Sequence, residues 1–192
     1  MESLKPLLIE HELIIRMMKL LNVAFSGIQT PGELDPEFVA TVVDFFRIYA
    51  NRTHEWKEEE ILFRTLAGKK MSREHEALMY ELVEEHCYAR SLTSTLVVAR
   101  NAYIHGEVEA LGQVVSAMMS LTEFYFHHVE KEDHVFFPIA LTYLSAEARV
   151  NLYERFAEFD RNMIHEKYVG VIRMLEAQQR EQIGRQPAHA MV

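Results

Sequence analysis

Two stretches of the chain carry the same arrangement of a histidine followed four residues later by a glutamate. Residues 54–63 read HEWKEEEILF and residues 128–138 read HVEKEDHVFFP, in the same register. On a helix, residues i and i+4 lie on one face, so each pattern presents an imidazole and a carboxylate side by side. Imidazole and carboxylate donors without a thiolate suit iron, manganese or zinc. The two pairs are His54 with Glu58 and His128 with Glu132.

Two single histidines extend the repeat. His11 and His86 lie 75 positions apart, and the two HxxxE patterns are separated by 74 positions. Each half of the chain therefore contributes one histidine and then one HxxxE pair. All four histidines fall on apolar stripes with helical spacing. His127 and His134 fall on a polar face, so we exclude them from the candidate site.

The elements that must position these residues are helices. Apolar residues recur at helical spacing along most of the chain, and strand alternation is nowhere sustained. Helix starts are indicated by Asp35 with Pro36, by Ser72 and by Ser145. Short connections favour antiparallel neighbours, so we predict an all-α, up-and-down four-helix bundle with an additional C-terminal fifth helix. The predicted helices lie near 3–25, 36–67, 72–103, 107–142 and 146–182.

Composition sets the remaining bounds. The chain has 192 residues, 49% of them hydrophobic, which suffices for one core. We predict a single domain over residues 1–182, with the bundle at about 4–144 and a flexible tail at 183–192. The formal net charge of -9 disfavours nucleic acid and membrane surfaces as partners. The single cysteine, Cys87, excludes an internal disulfide and favours the cytoplasm, and the N-terminus predicts neither a signal peptide nor a membrane span.

Counting the helical rise from the predicted turns places the six histidines and glutamates in one layer. Buried groups of this kind cost several kcal/mol each unless they are compensated. Two cations would compensate them, with both glutamates bridging and two histidines on each ion. For one histidine alone, a hydrogen-bonded core position is the simpler interpretation, but four in register fit it poorly. The neighbouring acids are either solvated or orient the imidazoles. These acids are Glu10, Glu12, Glu59, Glu60, Glu85 and Asp133.

The order His, HxxxE, His, HxxxE, with LF or FFP after the glutamate, resembles the hemerythrin-like (HHE cation-binding) family over about residues 4–144. The resemblance implies a pair of non-haem iron ions with an oxo or hydroxo bridge, and the donor set also accommodates zinc or manganese. A fifth histidine found in animal hemerythrins is missing, since Leu82 and Arg90 occupy its positions. The cysteine-containing N-terminal extension of the iron–sulfur repair subgroup is missing too. The implied ligands are His11, His54, Glu58, His86, His128 and Glu132.

His165, in the predicted fifth helix, falls at the same depth by residue count. Two interpretations remain open: a seventh metal ligand, which would leave one ion with an open position, or a partly exposed histidine that caps the bundle. Apolar and aromatic residues are predicted to line the pocket. Among them, Tyr125 either donates a hydrogen bond to a bound ligand or simply packs in the core. The predicted lining is Phe46, Leu62, Phe124, Tyr125 and Phe136.

The resemblance leads us to expect a cytoplasmic di-iron protein that binds or senses a small molecule, namely O₂, NO or peroxide. The alternative is a di-iron peroxidase or oxidase, or an iron-handling protein, in oxidative or nitrosative stress defence. The sequence does not decide whether the protein is an enzyme, and it does not indicate a protein partner.

Overall fold

The computed structural model describes residues 2–26, 34–107, 109–160 and 164–185. Within these ranges the chain forms six helices and no strand, which confirms the all-α prediction. A single 3₁₀ turn, Glu2–Leu4, leads into the first helix. The helices are α1 (Lys5–Ser26), α2 (residues 36–67), α3 (Arg73–Ile104), α4 (residues 110–142), α5 (Ala146–Phe159) and α6 (Ile164–Arg185).

Three helices begin at the residues that the sequence predicted. The side chains of Asp35, Ser72 and Ser145 each accept a hydrogen bond from a backbone N–H in the first turn, at 2.9–3.2 Å. These bonds satisfy donors that the helix itself leaves unpaired. At the end of α3, Gly106 adopts φ +91°, a left-handed conformation that glycine reaches without steric cost.

Two of the helices are not α-helical throughout, which the regular spacing did not predict. Within α2, residues Phe45–Glu55 and Glu58–Phe63 form π-helical turns, and Glu132–Phe136 do so within α4. Such turns bond i to i+5 and are frequent at functional sites. Here they coincide with the two HxxxE patterns.

The buried apolar side chains form two separate clusters. One contains Ile14, Ala50, Ala89 and Tyr125, and the other contains Leu7, Leu62, Leu82 and Phe136, among others. On each helix of the bundle, the candidate histidines and glutamates lie near the point where residues of one cluster give way to residues of the other. The polar layer therefore has a hydrophobic cluster on either side.

The predicted fifth helix, 146–182, is two helices. Helix α5 ends at Phe159, with Asp160 as its C-cap, and α6 begins at Ile164. Both run along the groove between α1 and α2: the rings of Phe159 and Trp56 stack at 4.6 Å, and Glu176 forms a salt bridge with Arg16 at 2.9 Å. Of the predicted tail, residues 183–185 belong to α6, and 186–192 lie outside the described residues.

Tyr168 joins α6 to α2. Its buried ring packs against Phe45 and Tyr49, and its hydroxyl donates to Asp44 Oδ2 at 2.8 Å. Substituting Tyr168→Phe keeps the ring and removes the hydrogen bond. We therefore expect the free energy of unfolding, measured by denaturant titration, to fall by about 1–2 kcal/mol.

A matched control for this variant is Tyr153→Phe on exposed α5, where the same change should stay within about 0.5 kcal/mol. Equal losses in the two variants would mean that the Tyr168 hydroxyl contributes nothing specific to the docking of α6.

Candidate metal centre

Six side chains from four helices converge in the layer between the two apolar clusters. Each of them is at least 98% buried. They form two overlapping groups, in each of which the nitrogen and oxygen atoms lie within 4.8 Å of one another, and Glu58 and Glu132 belong to both groups. The groups are His11, His54, Glu58 and Glu132, and Glu58, His86, His128 and Glu132.

The imidazoles point their Nε2 atoms into the cluster. His11 Nε2 lies 3.2 Å from Glu132 Oε2, and His86 Nε2 lies 3.2 Å from Glu58 Oε2. Each single histidine contacts the glutamate of the other half as well as the glutamate of its own half. These contacts therefore link the two halves of the repeat. The i+4 contacts are slightly longer, 3.6 Å for His54 with Glu58 and 3.4 Å for His128 with Glu132.

Most of the central atoms have no hydrogen-bond partner among the described residues; the exceptions are His11 Nε2 and His54 Nε2, which lie 3.0 Å apart. Both carboxylate oxygens of Glu58 and of Glu132, and the Nε2 atoms of His86 and His128, are buried and unsatisfied. Buried polar atoms are nearly always paired, and a carboxylate without a partner costs several kcal/mol. A pair of metal ions would take up these lone pairs, so the residues fit the two-ion site that the sequence suggested.

The outer nitrogen of every one of the four imidazoles meets a carboxylate. Such carboxylate–histidine pairs fix the ring and its tautomer, so that Nδ1–H donates outward and Nε2 keeps a lone pair for a metal. The pairs are His11 with Asp133 (2.7 Å), His54 with Glu10 (3.0 Å), His86 with Glu59 (2.9 Å) and His128 with Glu85 (2.8 Å).

These carboxylates follow the same repeat as the histidines. Glu10 and Glu85 directly precede the single histidine of their half, while Glu59 and Asp133 directly follow the glutamate of an HxxxE pair. The sequence had left them undecided between solvated and orienting roles. Their matched positions in both halves were the signal that could have distinguished them from Glu12 and Glu60.

Two lysines that the sequence interpretation missed complete the arrangement. Lys57 forms a salt bridge with Glu10, and Lys131 forms one with Glu85. Both lie three residues after the histidine of an HxxxE pair and 74 positions apart, so the repeat also contained this signal. Each half of the protein thus has a Lys–Glu–His chain that ends at the centre.

Burial governs the protonation of the metal-free cluster. Burial, together with the nearby Glu132 carboxylate, raises the pKa of Glu58 to about 8. Burial also lowers the pKa of His54 to about 4. For His11, burial acts to lower the pKa, but the hydrogen bond to Asp133 and the nearby Glu132 carboxylate outweigh it and raise the pKa to about 10. At neutral pH, Glu58 and His11 are therefore protonated in the metal-free cluster. These protons compensate the buried carboxylate charge that a cation would otherwise compensate.

His165 does not lie with the other six candidates. Its Nε2 is 3.0 Å from Asp160 and 3.3 Å from Glu10, and its Nδ1 is 3.0 Å from the hydroxyl of Tyr49. The depth count assumed one continuous helix from Ser145, whereas α5 ends at Phe159 and His165 belongs to a second helix that begins at Ile164. Glu10, Asp160 and His165 are close enough to hold a cation of their own, but the Lys57 ammonium already contacts both carboxylates.

The residues predicted to line the pocket are buried around the centre to different degrees. The ring of Phe124 stacks on His128 at 5.0 Å, and Tyr125 lies edge-on to the same imidazole at 6.3 Å. Phe46 stacks on Tyr125 rather than on a candidate ligand. Leu62 and Phe136 are fully buried in the cluster on the other side of the layer.

The hydroxyl of Tyr125 is engaged away from the metal ligands. It donates to Glu55 Oε1 at 2.8 Å, and Asn51 and Arg90 donate to the same carboxylate. Of the two roles open to Tyr125, this geometry fits a packed core tyrosine.

Two aromatic contacts were not anticipated. Phe63 stacks on His86 at 5.8 Å, and Phe137 stacks on His11 at 5.4 Å. Each phenylalanine lies five positions after the glutamate of its HxxxE pair, which is the repeat of a π-helical turn. A purely α-helical reading of the sequence places them on a different face.

A surface groove of about 390 Å³ lies between α3 and α4 beside His128. Its walls include Glu85, Phe124, His127 and Lys131. The exposed His127, which we excluded as a ligand, therefore lines the groove. The groove brings solvent close to the pair His128–Glu85.

Fold and centre together define a class of protein: a helical bundle with a buried histidine and glutamate cluster that fits metal ions. A family model described as the hemerythrin HHE cation binding domain matches residues 4–140. The match covers well over half of the chain, so this protein belongs to that family, and the resemblance inferred from the repeated motif is confirmed. Helices α5 and α6 lie outside the matched region.

Comparisons with curated proteins and with solved structures give no match. In the parts of the chain that the structure describes, none of the helices has an apolar run long enough to cross a bilayer.

Proposed function

We propose that this protein is a non-haem di-iron protein that binds or senses O₂, NO or peroxide. The observation that carries the proposal is the set of unsatisfied buried atoms in the centre, four carboxylate oxygens and two imidazole nitrogens among them. A cluster whose outer nitrogens are all paired with carboxylates, and whose inner atoms have no partner except for the contact between His11 Nε2 and His54 Nε2, is arranged for a ligand in the middle.

The donor set is compatible with iron. Four imidazoles and two carboxylates are hard to borderline donors, which suit iron, manganese and zinc better than copper(I) or an iron–sulfur cluster, since these favour sulfur ligands. The one cysteine of the chain, Cys87, is exposed. Glu58 and Glu132 each belong to both ligand groups and would bridge the ions. The ions, when bound, would supply the electrons that a diatomic molecule or a peroxide accepts.

The surrounding residues support such a role through packing and orientation. Phe63, Phe124 and Phe137 each cover one candidate ligand ring and exclude bulk water from the centre. The paired carboxylates hold the imidazoles with Nε2 inward before any ion is bound, which lowers the reorganisation that binding requires. The groove beside His128 offers a short route from solvent for a small molecule.

The proposal is tested on protein purified without chelators from iron-replete cells. We expect about two iron ions per chain, one for each ligand group, and near-ultraviolet absorption from oxo-to-iron charge transfer in the oxidised form. Addition of NO or peroxide to the reduced form should change that spectrum. Zinc alone, or no metal, would overturn the iron assignment.

The same preparation separates a sensor from an enzyme. Stoichiometric, reversible spectral change on addition of the ligand supports binding or sensing. Sustained consumption of peroxide, with a reductant present, would instead assign the protein as a di-iron peroxidase.

A further inference from the structure

The two Lys–Glu–His chains are equivalent in sequence position but not in surroundings. In the first, Lys57, Glu10 and His54 are all 0% exposed. In the second, Lys131 is 27% exposed and Glu85 is 24% exposed. The two chains also differ in what packs over them from outside the repeat.

The buried chain is covered by the segment that the family match leaves out. Asp160, the C-cap of α5, accepts from Lys57 Nζ at 2.7 Å, and His165 at the start of α6 lies 3.0 Å from the same carboxylate oxygen. Phe156 and Phe159 of α5 bring their rings within 5.9 Å of the ammonium. Two anions, a histidine and two aromatic rings thus enclose the lysine.

Among the described residues, nothing comparable covers the second Lys–Glu–His chain. Lys131 is shared between Glu85 and Glu81, and Glu81 is 54% exposed on the outer face of α3. The groove beside His128 opens onto this ion pair. Solvent and salt can compete for each of these contacts.

We propose that the two ions of the centre are held unequally, because α5 and α6 lock the Lys57–Glu10–His54 chain. The ion on His11 and His54 exchanges slowly, and the ion on His86 and His128 exchanges rapidly with solvent through the groove. Asp160 and His165 are the positioning residues that make the difference. This inference rests on the two-ion centre proposed above, but not on the identity or chemistry of the metal.

The physical reason lies in what a metal must disturb in order to leave. Release of an ion lets its histidine ring turn, which requires the outer carboxylate to move with it or to lose the hydrogen bond. Removal of an outer-shell partner commonly costs about 10–100-fold in metal affinity. A charge pair in the interior is much stronger than one at the surface, since water screens it poorly. Glu10 is fixed by a buried ammonium, whereas Glu85 is fixed by a partly solvated one.

The test measures release of Fe²⁺ from the fully loaded chain to a chromogenic chelator, under anaerobic conditions. The wild-type protein should release its two ions in two phases. Asp160→Asn removes one charge from the buried chain and leaves Lys57 in place. We expect it to accelerate the slow phase by about 10-fold and to leave the fast phase unchanged.

Glu81→Gln is the matched control, because Glu81 is the outer carboxylate of Lys131 as Asp160 is of Lys57. It should change either phase by no more than about 2-fold. Asp160→Glu, which restores the charge, should recover much of the slow phase. If Asp160 acted only through the stability of the fold, Asp160→Asn would accelerate both phases together. Asp160→Glu would then not restore the slow phase alone.

Release in a single phase, or equal acceleration by Asp160→Asn and Glu81→Gln, would overturn the inference. Neither result depends on O₂, NO or peroxide. A protein that releases two ions in two phases but does not respond to these molecules would support unequal ions and contradict the proposed function. A protein that responds to these molecules but releases its ions in a single phase would support the proposed function and contradict unequal ions.

Discussion

Removing metal from the loaded protein is expected to lower its thermal unfolding midpoint by about 15–30 °C. A ligand that binds only the folded state stabilises it by about 4 kcal/mol when its free concentration is a thousandfold above its dissociation constant. Two ions bound this tightly would contribute about 8 kcal/mol, and a domain of this size gains about 2–4 °C per kcal/mol. The layer that the ions would neutralise otherwise contains several buried, unsatisfied atoms.

The gap between metal-loaded and metal-free protein should widen as the pH rises from 6.5 to 8. In the metal-free state, the pKa values of His11 and Glu58 are raised from 6.5 and 4.5 to about 10 and about 8. A raised folded-state pKa contributes stability below the unfolded value and loses it as the pH climbs towards the folded value. The metal-free protein therefore weakens over this range, while metal binding strengthens because fewer protons compete for the ligands.

Differential scanning calorimetry of both forms at several pH values checks this expectation. Because the pKa of His54 is lowered to about 4, this residue reduces the stability of the protein only as the pH falls below 6.5. It therefore has no effect on the comparison between pH 6.5 and 8. A constant gap between pH 6.5 and 8 would show that His11 and Glu58 do not carry the protons assigned to them. No gap at any pH would contradict a metal centre in this layer.

The bundle, and the side chains that meet in its polar layer, could be predicted from the sequence because two independent patterns agree. Helical spacing of apolar residues predicted which face of each helix is buried, and a doubled histidine and glutamate pattern fell on those faces. The capping residues Asp35, Ser72 and Ser145 then set where three helices begin. The residues that follow from face and register alone, His11 and His86 among them, lie together in the structure.

The position of His165 could not be predicted in this way. Residue counting along a helix gives a depth only while the helix is straight and continuous, whereas α5 ends at Phe159 and α6 begins at Ile164 as a separate helix. The sequence between these two residues contains no proline or glycine that would indicate two helices. The partners of the imidazole outer nitrogens were left undecided, because a single charged residue beside a ligand fits a solvated position equally well and only the matched acids of both halves favour Glu59 over Glu60. The distances then identify the partner: Glu59 contacts His86, whereas Glu60 pairs with Arg64 at the surface.

The substitution Glu58→Gln should affect the metal-loaded and metal-free proteins in opposite directions. Glu58 belongs to both ligand groups, so its loss should reduce the metal content from about two ions to fewer than one per chain. Without metal, the same carboxylate is buried beside Glu132 with both of its oxygens unsatisfied. A glutamine of equal shape removes that charge and can donate to Glu132. The free energy of unfolding of the metal-free protein at pH 8 should therefore rise by about 1–3 kcal/mol.

Metal analysis and denaturant titration of the chelated protein measure the two effects separately. Glu60→Gln, two residues along the same helix, is the control, since its surface pair with Arg64 should contribute less than about 1 kcal/mol and no metal affinity. Substitution of a glutamate with a purely structural role would lower the stability of the protein in both the metal-loaded and the metal-free state. Only a carboxylate that serves as a metal ligand should make the protein less stable when the cation is removed. Opposite effects of the substitution on the metal-loaded and metal-free proteins therefore distinguish a metal ligand from a buried hydrogen-bonding group.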